Sequence, residues 1–229
     1  MSMNVAIILP KSIRRHLFMK RRIFLTLLVL FAALLSLGAS KKSDELKRMS
    51  VFISNFTEQN MYDFDMDEDG DNDFMHLGDP EYSDILLHFG IIHNIINNPK
   101  STVKTCPDKK CPYGKNIMSG QAVTASIKRY FGVSVKNGEL PESNDDDGVH
   151  YDGKNYHFNA AALKRIFDDA YYADVQKAKP EGNIIVMSGE LYSTKNKNDR
   201  PATFIATAKP HVWNGKDTWA ILSLSEEWR

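Results

Sequence analysis

Between Asp79 and Asn98 the apolar residues Tyr82, Ile85, Leu86, Phe89, Ile92 and Ile96, with His93, recur at helical spacing, and Leu87, Ile91 and Ile95 extend that surface most of the way round. Only Asp84, His88, Asn94 and Asn98 make a polar stripe. Asp79 is the candidate cap, Pro80 suits the first helical position, Glu81 the acidic first turn, and Pro99 the stop. A helix apolar on nearly every side is stable only when other elements enclose it, so this one is predicted to lie at the centre of a single core. Ser43 is placed to cap an earlier helix carrying Leu46, Met49, Ile53 and Phe56 on one stripe, with Asn55 on its polar side. Ser119 opens another, with Val123, Ile127, Tyr130 and Phe131 inward and Gly132 as its end. A short helix follows Asn159, carrying Leu163, Ile166 and Phe167.

The periodicity then changes. Val149 to Phe158 suits a hairpin about Asp152-Gly153, and from Tyr171 onward the pattern is that of strands. Lys179-Pro180-Glu181-Gly182 suits a type I turn between Tyr172–Ala178 and Asn183–Tyr192. Asn214-Gly215 is the strongest hairpin signal, joining Ala202–Trp213 to Thr218–Leu224. Helices first and sheet last make an α+β chain, with N-terminal helices around a central buried helix followed by a C-terminal antiparallel meander. Residues 41–229 are then one domain, a helical half over 41–136 and a mainly strand half over 149–229, joined by the polar stretch 137–148.

Residues 1–40 hold six Lys or Arg and no acid, followed within that span by the apolar run Ile23–Leu37 and the small residues Gly38-Ala39-Ser40. That is the layout of an export signal, and its apolar run is short for a membrane span, which needs roughly 20 residues. Arg21-Arg22-Ile23-Phe24-Leu25 also fits a twin-arginine core, and Leu37-Gly38-Ala39-Ser40 has serine where a lipidated cysteine would stand. The expectation is a secreted or periplasmic product with no stable membrane span after cleavage.

Removing that segment changes the charge picture. The chain has 29 basic and 29 acidic residues, so taking away the six basic ones of 1–40 leaves 23 against 29, a net charge of −6 with His neutral. Such a chain is a poor nucleic-acid binder. Much of the negative charge lies in Asp65-Met66-Asp67-Glu68-Asp69-Gly70-Asp71-Asn72-Asp73, whose Asp65, Asp67, Asp69 and Asp73, with Gly70 at position six, follow a calcium loop. Asp71 adds a further carboxylate. His76 stands at position twelve, where a Glu or Asp belongs, so the alternative is a solvated acidic loop.

Cys106 and Cys111 are the only cysteines. In an exported chain this close pair, flanked by Pro107 and Pro112, is expected to form a local disulfide, with redox chemistry, metal ligation and free thiols as the other uses. Six histidines follow the export signal: His76, His88, His93, His150, His157 and His211. His88 and His93 are five apart and do not share a helix face as a metal pair at four-residue spacing would. No GxSxG, HExxH, P-loop or GxGxxG is present. Cys106 with a distant histidine imitates a thiol hydrolase, but a disulfide would consume the nucleophile. Aromatics gather in the strand half, among them Tyr156, Tyr171, Tyr172, Tyr192, Trp213, Trp219 and Trp228, and those facing outward suit a sugar or peptide.

Four short motifs, Ser54–Glu58 (SNFTE), Phe89–Asn94 (FGIIHN), Cys111–Gly114 (CPYG) and Lys128–Gly132 (KRYFG), resemble patterns in small exported bacterial proteins of uncharacterised function. The resemblance covers roughly the helical half, implies bacterial export and the same order of elements, and carries no catalytic residue; the acidic run has no place in it. The absence of a catalytic signature points to an exported, non-enzymatic domain that binds a protein or glycan partner at the cell envelope, with calcium as its candidate stabilising ion. The alternative is a cell-wall or glycan hydrolase with an acidic, aromatic cleft, which needs two carboxylates roughly 5 to 9 Å apart.

Overall fold

A computed structural model of the chain describes residues 43–66, 75–79, 82–140, 148–165 and 170–229. The export signal over 1–40, four of the five candidate calcium ligands (Asp67, Asp69, Asp71 and Asp73) and the acidic Asp145–Asp147 stretch lie outside them. The chain divides into two units, 1–45 and 46–229, and all that follows concerns the second. It is an α+β unit with two sheets.

In this unit helix α1 covers 46–57. Met49, Phe52, Ile53 and Phe56 are buried on one stripe, as an amphipathic helix on a core requires. Its other face is not simply solvated. Asn55, expected at the surface, is buried, its amide donating to the Val51 carbonyl. Ser50 and Ser54 accept the backbone N–H groups of Val175 and Ala173, and the Thr57 hydroxyl donates to the Tyr171 carbonyl. The helix thereby covers the outermost strand of a sheet, whose unpaired groups would otherwise invite another chain.

Helix α2, Ser83–Asn97, is the expected central helix, begun later than its candidate cap allowed: Tyr82 stands at its N-cap and Asp79 only accepts the Tyr82 N–H in the turn before it. Leu86, Leu87, Phe89, Ile91, Ile92, His93 and Ile95 are all buried. Asn94, placed by pattern on the polar stripe, is buried as well, because the later helix over Gly120–Phe131 covers it: its amide donates to Ser126 Oγ and the Gly90 and Ala122 carbonyls. Gly90 makes this crossing possible, since a Cβ there would lie 2.7 Å from the Val123 carbonyl oxygen. After the short helix α3, Pro99–Thr102, comes α4, Gly120–Phe131, with Ser119 Oγ accepting the Ala122 N–H and Gly132 closing it at φ 72°.

The six-stranded sheet has the order β2-β1-β10-β9-β8-β7. Strands β7 (Tyr171–Glu181), β8 (Ile184–Ser193), β9 (Ala202–Trp213) and β10 (Lys216–Trp228) follow one another as antiparallel neighbours. β7 runs through Pro180 to Glu181, where the pattern predicted a turn. The turn lies instead at Gly182-Asn183, and Pro180, lacking an N–H, is tolerated because β7 is an edge. β1 (Phe64–Asp65) lies antiparallel to β10, and β2 (Met75–His76) parallel to β1. The second sheet has the order β3-β4-β6-β5, from Lys104–Thr105, Asn116–Ser119, Asn155–Phe158 and His150–Tyr151 respectively. One hydrophobic cluster spans both halves of the chain. Phe56 sits at its centre, its ring within 6.0 Å of those of Phe52, Phe64, Phe89, Tyr130 and Phe131.

Candidate functional site

The second sheet carries the chemistry. In β6 the burial alternates: Tyr156 and Phe158 enter the core while Asn155 and His157 face the other way, as a strand's two-residue period requires. The turn before it is built by Asp152, whose Oδ1 accepts the backbone N–H groups of Lys154 and Asn155 at 2.8 and 2.6 Å while Gly153 takes φ 92°. The other oxygen, Oδ2, lies 2.9 Å from His157 Nε2. One carboxylate thus shapes the hairpin and orients the imidazole five residues on. His157 Nε2–H donates to that carboxylate, which turns Nδ1 to the opposite side of the ring.

Toward Nδ1 come both thiols. The segment 106–115 leaves β3 and returns to β4, closed at its base by the Cys106 N–H to the Lys115 carbonyl at 2.9 Å. Asp108 turns it, accepting the backbone N–H groups of Lys110 and Cys111. Gly114, at φ 131°, lets it seat against β6: a Cβ there would fall 2.3 Å from the Phe158 backbone. Cys111 Sγ lies 3.4 Å and Cys106 Sγ 3.8 Å from His157 Nδ1, and the three ligand atoms lie within 4.8 Å of one another.

The expected Cys106–Cys111 disulfide is not met. Both are free cysteines, the first buried and the second half-buried; they are not at disulfide distance, and both sulfurs lie beside the His157 ring. The electrostatics separate the two thiols. Burial pushes the Cys106 thiol up. Burial acts the same way on Cys111, but the Tyr113 N–H, the His157 ring and the neighbouring thiol outweigh it and hold Cys111 below its ordinary value. Partial burial disfavours a charged His157, yet its hydrogen bonds to the Asp152 carboxylate and with Cys111 prevail, so the ring is held above its ordinary value. Asp152 is held well below the usual carboxylate range, chiefly by the Asn155 N–H, then by His157 and the Lys154 N–H.

The thiols open onto a cleft of about 1070 Å³ that Glu139 and His150 also line. His150 Nδ1 is 2.8 Å from Glu139 Oε1, its ring stacks on Tyr113 with centroids 3.8 Å apart, and it pairs across β5 and β6 with His157, centroid to centroid 6.3 Å.

The remaining candidates lie elsewhere. Asp65 is buried, its Oδ1 2.8 Å from His76 Nδ1, so the first and twelfth positions of the acidic segment meet as a carboxylate–imidazole pair. His93 is enclosed by aromatic rings; burial and then the charge of Arg129 lower it to about 3. Nothing in the local sequence marks His157, 51 and 46 residues from its two thiol neighbours. The one usable signal is the Asp152-Gly153 turn, which puts a carboxylate beside the histidine of the strand that follows it. Among the described residues, no helix is long and apolar enough to cross a membrane. No family model matches the chain, and no curated protein or solved structure matches it either.

Proposed function

We propose that Cys106, Cys111 and His157 hold a zinc ion, with the fourth coordination position facing the cleft. The observation that carries this is the convergence of the three donor atoms within 4.8 Å, with a carboxylate on the other ring nitrogen of the histidine. Across a tetrahedral zinc with bonds of about 2.3 Å to sulfur and about 2.0 Å to nitrogen, S and N ligand atoms stand roughly 3.5 Å apart. The observed separations of 3.4 and 3.8 Å bracket that value. Two thiolates and an imidazole suit zinc and exclude a hard cation such as calcium. Asp152 takes the outer-shell part that fixes tautomer and ring orientation.

Three protein ligands beside a cleft describe an open centre rather than a closed, four-ligand structural one. Such an ion acidifies a bound water or accepts a donor atom from a partner. The basic and apolar start of the chain supports export to the cell envelope. There two neighbouring thiols are spared oxidation when a metal holds them. In this reading the protein is an exported metal-dependent domain that engages a protein or glycan through the open coordination position.

A second reading uses the same atoms without a metal. Cys111 Sγ at 3.4 Å from His157 Nδ1 and Asp152 at 2.9 Å from Nε2 form a nucleophile, base and orienting carboxylate, the arrangement of a thiol hydrolase. Cys106 separates the readings. Full-length protein purified without chelator is expected to carry one zinc, and with cobalt to show thiolate charge-transfer bands that Cys106→Ser and Cys111→Ser both abolish. A protein free of metal after dialysis against micromolar zinc overturns the zinc reading. Rapid alkylation of Cys111, undiminished by zinc and unaffected by Cys106→Ser, then supports the thiol reading.

A further inference from the structure

A second groove, of about 590 Å³, lies away from the thiols, between α1, the C-terminal end of α4 and the β9–β10 hairpin. Four cations line it, Lys47, Arg48, Arg129 and Lys216, against one carboxylate, Asp217. That is the reverse of the acidic balance of residues 41–229. No carboxylate lies within ion-pair distance of Arg48, Arg129 or Lys216 among the described residues.

The guanidiniums are held in place by other means. Arg48 lies over the Trp219 ring at 5.2 Å and donates to the Asp217 carbonyl at 2.9 Å; Arg129 lies over the Tyr130 ring at 4.9 Å. Phe52 joins the two platforms, its ring 5.7 Å from Trp219 and 6.0 Å from Tyr130. Stacking immobilises each planar fork while leaving N–H groups for a bidentate oxyanion. Beside them Trp213 is half-buried and Val51 is 67% exposed, an apolar wall on which the face of a ring can rest.

We infer that this groove binds an acidic saccharide, its carboxylate received by Arg48 and Arg129 and its ring laid on the Trp213 side. The volume lies within the usual span of small-ligand sites, about 300 to 1,000 Å³. The site shares no residue with the thiol cluster and stands or falls separately from it.

The test is titration of the full-length protein, followed by tryptophan fluorescence, with a uronic-acid tetramer, its methyl ester, an uncharged glucose tetramer and inorganic phosphate. The uronate is expected to bind, and the ester, the glucose tetramer and phosphate each about tenfold more weakly or not at all. Arg129→Gln and Lys216→Gln are expected to weaken the uronate about tenfold and severalfold, with the thermal midpoint unchanged; Arg129→Lys, which keeps the charge and loses the fork, falls between wild type and Arg129→Gln. Phosphate binding as tightly as the uronate overturns the saccharide assignment. Equal affinity for the ester overturns the role of the arginines, and no binding by the uronate overturns the site.

Discussion

His93 and His157 are both shielded from water, yet they sit in opposite kinds of surroundings. His93 stacks on Phe89 and against Tyr130, with ring nitrogens 3.3 Å from the Asn97 and Asn98 amides. Among the described residues no carboxylate is hydrogen-bonded to it, the charge of Arg129 adds to the effect of burial, and it is kept neutral. His157 has a carboxylate on one nitrogen and two sulfurs on the other. Burial alone disfavours charge in both; the partners decide which ring is a packed aromatic and which meets a carboxylate and two thiols. The first region is held together by packing, the second by donor atoms brought into register by turns.

The largest effect expected from this contrast is in the packed region. Phe56→Ala removes the ring at the centre of five aromatic contacts and is expected to cost about 3–5 kcal/mol in a denaturant melt, with the cysteine–histidine donor set untouched. A loss below about 1 kcal/mol would show that the core does not rest on that ring.

Acid comes next. A histidine lowered from 6.5 to about 3 leaves the folded state binding fewer protons than the unfolded one. Its contribution is therefore complete above pH 6.5 and is lost as pH falls toward 3, reaching about 3 kcal/mol at pH 4. Glu58, raised by burial, acts in the opposite sense near its own titration, so the informative quantity is the difference between wild type and His93→Gln. That difference should shrink steadily from pH 6.5 to 4; a constant difference would mean that His93 is not kept neutral.

In the cleft, Asp152→Asn keeps an acceptor for the turn but removes the charge facing His157. Zinc affinity measured by chelator competition is expected to fall about 10- to 100-fold. An unchanged affinity would remove Asp152 from the site. The smallest change is Ser119→Ala, which deletes the cap of α4 and is expected to cost about 1 kcal/mol without altering zinc affinity. Any change in affinity there would show that the two regions are coupled through β4.

Elements announced by adjacent residues were legible. Ser119 and Gly132 bound α4 as their residue types imply, and Asn214-Gly215, with φ 50° and 72°, joins β9 to β10. Legibility failed where the environment of a side chain is set from elsewhere. Asn55 and Asn94 are polar residues that other elements cover, and Pro180 passes through a strand because that strand is an edge. The paired cysteines suggested a disulfide since spacing shows proximity in the chain but not what lies opposite. The acidic segment, apart from Asp65, lies outside the described residues.

By itself the sequence determined the α+β class and most of the apolar residues buried on α2 and α4. Periodicity, caps and turn pairs act over a few consecutive positions, and local sterics and hydrogen bonds suffice to express them. Only the tertiary structure decided the site. Cys106, Cys111 and His157 meet because one turn at Asp152, one close approach at Gly114 and the strand alternation of β6 bring a distant histidine against the cysteine pair, and no local preference specifies such a convergence.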